Sequence, residues 1–94
     1  MPMVEFRGEI LYKDGRRELV AGGLPAVAGW EEYAHRNGYP TDLEAAPKSL
    51  ANLVVLHTLT GVEEGFEVWR HTVANFTLES ETVNPTSVEP TAVS

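Results

Sequence analysis

Gly65-Phe66-Glu67-Val68-Trp69-Arg70-His71-Thr72-Val73-Ala74-Asn75-Phe76 is the stretch whose reading decides the fold of this chain. Phe66, Trp69, Val73 and Phe76 follow one another at steps of three, four and three residues, the spacing that lines up side chains along one face of an α-helix. Glu67, Arg70, Thr72 and Asn75 fall mostly on the other face. The spacing predicts a helix over 65–78, opened by Gly65, with the acidic pair Glu63-Glu64 beside its positive end. Each aromatic ring buried there contributes on the order of 2–3 kcal/mol, an anchor that a short chain needs. The stripe reads first as core, with Phe66, Trp69 and Val73 as anchors, and second as a docking face.

Working back from this stretch, Pro47 opens a second helix predicted over 47–60. Leu50, Leu53, Val54 and His57 line one side of it, and Val55, Leu56 and Leu59 widen that side over more than half the girth, as in a helix central to a bundle. Thr41 to Ala46 is a linker or a single extra turn. A first helix is predicted over 25–37, with Pro25 in its first turn, Val27, Trp30 and Ala34 on its apolar side, Tyr33 beside them, and Asn37-Gly38 followed by Pro40 as its stop. Residues 4–21 read as a β-hairpin, with Phe6, Ile10 and Tyr12 at even spacing and Lys13-Asp14-Gly15-Arg16 as the turn. Past the third helix, residues 79–94 hold three glutamates, two prolines, no lysine or arginine and no aromatic residue, the composition of a disordered tail. The expected fold is α+β: an N-terminal β-hairpin followed by a three-helix bundle and a disordered acidic C-terminal tail. Residues 1–78 would form one small domain with Trp30, Leu53 and Trp69 in one core.

The 94 residues carry a formal net charge of -7, which opposes sequence-independent binding of nucleic acid and favours a basic protein partner. There is no cysteine, hence no disulfide, thiol nucleophile or cysteine-based zinc site, a composition that fits a reducing cytoplasm. No basic start followed by an apolar run marks a secretory signal, and the longest apolar run, Leu53-Val54-Val55-Leu56, is far too short to span a membrane. The sequon Asn75-Phe76-Thr77 is accordingly read as chance. His35, His57 and His71 fall one to each predicted helix without metal-ligand spacing. Asp42 and Glu44 sit between two prolines in a solvated turn. Gly22-Gly23 lacks the spacing of a phosphate loop, and none of the serines stands in a nucleophile elbow. The expectation is a protein that is not an enzyme and needs no cofactor or metal.

The order of motifs carries a resemblance. A hairpin with an Asp-Gly turn precedes a helix bearing Trp30-Glu31-Glu32-Tyr33-Ala34-His35-Arg36. An apolar helix and Gly65-Phe66-Glu67-Val68-Trp69 follow, and Asn84-Pro85-Thr86 stands in the acidic tail. Over nearly its whole length this resembles the small tail assembly chaperones of long-tailed, siphovirus-type actinobacteriophages, in which a Phe-Glu-x-Trp-like segment opens the last helix. Val55-Leu56-His57-Thr58 departs from the family, where more aromatic or basic residues are expected. The resemblance implies a non-enzymatic protein of the host cytoplasm, absent from the mature virion. It would bind the tape measure protein, with self-association and a longer frameshifted form, and without nucleic acid or membrane. Alternatives are a head–tail connector or minor tail protein, or a small regulatory module outside phages. The expected partner contacts are Tyr33, Val55, Leu56 and Phe76, each at the edge of its stripe. For Val55 and Leu56 a place in the core remains the equal alternative.

Overall fold

A computed structural model describes residues 3–83. Strand β1 (Met3–Tyr12) turns into β2 (Arg17–Gly22), and helices α1 (Pro25–Asn37) and α2 (Lys48–Thr60) follow. A single helical turn, α3 (Phe66–Trp69), continues as a 3-10 turn (Arg70–Thr72) into strand β3 (Val73–Val83). The three strands form one antiparallel sheet in the order β2-β1-β3.

This architecture corrects the expected hairpin followed by a three-helix bundle. The stretch predicted as a helix over 65–78 is helical only as far as Thr72; from Val73 the chain is a strand along the free side of β1. Phe66 and Trp69 are one helical turn apart, as the spacing indicates. Phe76 and Leu78, however, obey the period of two: with Phe76 opposite Ile10 and Leu78 opposite Gly8 they lie on the covered face, while Asn75, Thr77 and Glu79 take the other. Steps of three and four happen to continue across the switch. The Thr72 hydroxyl bonds back to the Trp69 carbonyl at 2.6 Å, and the Lys13 N–H bonds to the Thr72 carbonyl at 2.8 Å, which fastens the exit from the helical turn to the hairpin. The expected tail also begins too early, since Glu79 to Val83 extend β3 against the start of β1. Ladder hydrogen bonds to a ready strand order that segment without a large apolar side chain. Residues 84–94 of the expected tail lie outside the described residues.

The hairpin turn follows its sequence. Gly15 has φ 94°, which glycine adopts without strain, and Asp14 accepts from the Arg16 N–H at 3.0 Å and from its Nε at 2.8 Å. Those bonds, the backbone one first, hold the Asp14 carboxyl below its ordinary pKa.

One face of the sheet is covered. Phe6, Ile10 and Tyr12 are buried beneath the helices, whereas Arg7 and Leu11 face outward. Helix α2 lies between α1 and the sheet. Gly8 allows this close approach, because a Cβ there would run into Leu56 and stand 2.9 Å from the Thr77 carbonyl oxygen. Two clusters adjoin: Trp30, Ala34, Val54 and Val55 with Phe6 in one, and Ile10, Tyr12, Leu56 and Trp69 in the other. The single expected core is thus divided, with Trp30 in the first cluster, Trp69 in the second and Leu53 packed against the second. Phe66 and Leu78 touch both.

Candidate functional site

A groove of about 750 Å³ lies between α1, the C-terminal half of α2 and the start of α3. Gly61 makes it possible: it ends α2 with φ 69°, and the chain then doubles back through Val62 to Gly65. Tyr33 and Phe66 both line it, their rings in contact edge to face at 5.2 Å. His57 lies against Phe66 at 5.7 Å and donates from Nε2 to the Glu64 carbonyl at 2.7 Å, tying the returning loop to α2. The Arg70 guanidinium sits 5.3 Å from the Phe66 ring centre.

The groove's rim is polar and mostly acidic. Glu32 and Glu67 line it, opposed by Arg36, and Glu63 and Glu64 stand exposed on the adjacent loop. The Tyr33 hydroxyl donates to Glu67 at 3.2 Å, a bridge from α1 to α3 across the groove. Burial first, and then this carboxylate partner, raise the Tyr33 pKa above its ordinary value. Val62 and Val68 border the groove at 40% and 60% exposure, so its apolar surface reaches solvent.

The structure separates the four expected contact residues. Tyr33 is in the groove. Val55 and Leu56 are 1% and 0% exposed, and their burial corrects the docking reading in favour of the core. Phe76 is half-buried on the covered face of β3, packed on the second cluster. Of the anchors, Trp30 and Trp69 are buried and Leu53, Phe66 and Val73 half-buried. Sequence reasoning assigned no contact to Val62 or Val68. Each stands outside an apolar stripe, and the signal available was proximity to Gly61 and Gly65, where the chain changes direction.

Among the described residues no group of three or more His, Asp or Glu side chains is placed to hold a metal, and no helix is long and apolar enough to cross a membrane. Asp42 accepts from the Glu44 N–H at 3.0 Å in an exposed turn. No family model, curated protein or solved structure matches the chain.

Proposed function

We propose that this protein is a non-enzymatic tail assembly chaperone of a long-tailed bacteriophage, which binds the tape measure protein and keeps it soluble in the host cytoplasm until the tail encloses it. The observation that carries the proposal is the groove in which the apolar side chains of Tyr33, Phe66, Val62 and Val68 are interleaved with polar ones, among them Glu32 and Glu67. Such a groove suits apolar side chains spaced along one face of a helix, flanked by basic residues. The order of motifs described above supports the same reading. One short groove binds weakly, so many copies along one extended partner supply the avidity.

The test is co-expression with the tape measure protein of the same genome. A soluble complex should elute on size exclusion with the native chain, and Val68→Glu, at an exposed position, should abolish it while leaving the melting temperature unchanged. Equal solubility of the tape measure protein with and without this chain, and no complex, would refute the proposal. A fixed stoichiometry in purified virions would favour the connector or minor tail protein instead.

A further inference from the structure

Strand β3 lies at the edge of the sheet, with β1 on one side and nothing described on the other. It runs for 11 residues, against 6 for β2 at the opposite edge. Proteins guard exposed edges with lysine, proline or bulges that turn the strand away. Val73–Val83 contains no proline, lysine or arginine, and its only charged residues, Glu79 and Glu81, stand in its second half. Its one irregularity stands at its start, opposite Leu11 and Tyr12.

The direction of the free backbone groups can be assigned. The Thr77 carbonyl oxygen is directed at Gly8 of β1, so Thr77 spends its backbone groups on β1. Phe76 and Leu78, one residue to either side, direct theirs outward. In agreement, the Phe76 N–H is taken by the side-chain oxygen of its neighbour Asn75 at 2.9 Å. Among the described residues nothing pairs with the edge from Phe76 onward, and one donor is held by a local substitute.

We propose that β3 pairs antiparallel with β3 of a second copy, about a twofold axis at Thr77, to give a continuous six-stranded sheet. Three features select this occupant and this register. Centred on Thr77, the pairing sets Phe76 opposite Leu78 of the second copy, twice, so the large apolar side chains of the covered edge meet each other. On the open face Asn75 comes opposite Glu79 of the second copy. Once the Phe76 N–H bonds to the second copy's Leu78 carbonyl, the Asn75 amide is released to donate to that carboxylate. Two alternatives are worse: one centred on Glu79 sets that carboxylate against itself, and one centred on Ser80 leaves Phe76 opposite a residue past the end of the strand. The pairing uses neither the groove nor a tape measure protein, so it stands or falls separately from the chaperone reading.

The test is sedimentation of the purified full chain, alone, over a range of concentration, together with cysteine cross-linking. Thr77 is exposed on the open face, and the two copies of Thr77 would form a non-hydrogen-bonded pair with Cα atoms about 4.5 Å apart, within disulfide reach. The native chain has no cysteine, so Thr77→Cys should oxidise to a covalent dimer and Glu79→Cys should not. Thr77→Lys, which places two ammonium groups face to face, should weaken the dimer by roughly tenfold or more while the circular dichroism melt stays native. A native chain that sediments as a monomer at every concentration would overturn the proposal. So would a dimer indifferent to Thr77→Lys, or cross-linking through Glu79→Cys in place of Thr77→Cys.

Discussion

Replacing Tyr12 with phenylalanine removes one oxygen atom and should destabilise the fold well beyond the loss of one average hydrogen bond. That hydroxyl accepts from Trp69 Nε1 at 3.2 Å and donates to Glu18 at 2.6 Å, joining the helical turn α3 to both strands of the hairpin. Trp69 is 2% exposed, so its N–H has no water to turn to once the oxygen is gone. An orphaned buried donor costs about 1–3 kcal/mol. Glu18 is half-buried and can regain water, so its share is small, about 0.5 kcal/mol after that discount. The ring itself stays, with its edge-to-face contact to Trp69 at 6.4 Å. The sum is about 2 kcal/mol, or about 8–16 °C in Tm for a domain of this size. The assay is urea unfolding of Tyr12→Phe, Trp69→Phe and the double variant. In Trp69→Phe the donor leaves with the indole, so adding Tyr12→Phe to it should cost less than Tyr12→Phe alone. Strictly additive losses, or a Tyr12→Phe variant within about 0.5 kcal/mol of the native chain, would refute the reasoning. Trp30 supplies the contrast. It is fully buried and its Nε1 has no partner among the described residues, so Trp30→Phe removes an unsatisfied donor and should cost less than Trp69→Phe.

Three further outcomes can be checked on the purified chain. Burial, followed by the bond to Glu18, raises the Tyr12 pKa, and Tyr33 is raised in the same sense. Both groups therefore hold their protons more tightly in the folded state, so their contribution is complete below the unfolded value near pH 10 and is lost as pH rises through the folded values. Alkaline unfolding followed by far-ultraviolet circular dichroism should begin later in a Tyr12→Phe/Tyr33→Phe variant, relative to its own stability at neutral pH. Leu56→Ala opens space at a fully buried position and should cost about 3–4 kcal/mol by urea titration. Gly8→Ala, which would ordinarily favour a strand, should instead cost about 1–3 kcal/mol, because its methyl meets Leu56 and the Thr77 carbonyl.

Local signals in the sequence were enough for the turn at Asp14-Gly15 and for α1, whose span Pro25–Asn37 is bracketed by a proline in the first turn and a glycine past the last. They were not enough for the last strand. Phe66, Trp69, Val73 and Phe76 satisfy a helical period by coincidence, while the alternation that declares β3 starts only at Asn75 and runs into residues whose polarity reads as tail. The missing information is non-local: β1 offers a free side over its whole length, and a segment with modest strand character folds onto it.

The same kind of gap explains the contact residues. Assigning docking to the edge of an apolar stripe assumes that a helix has one buried side. Helix α2 has two, one toward α1, where Thr58 meets Gly29, and one toward the sheet, where Val55 lies near Phe6 and Leu78 and Leu56 meets Gly8. For a helix between two layers, the edge of the stripe is where it meets the next layer. Helix α1 is covered on one side only, and there the edge residue, Tyr33, does reach a groove. What distinguishes the two helices is their place in the sheet-and-helix stack: α2 packs on α1 and on the sheet, α1 chiefly on α2.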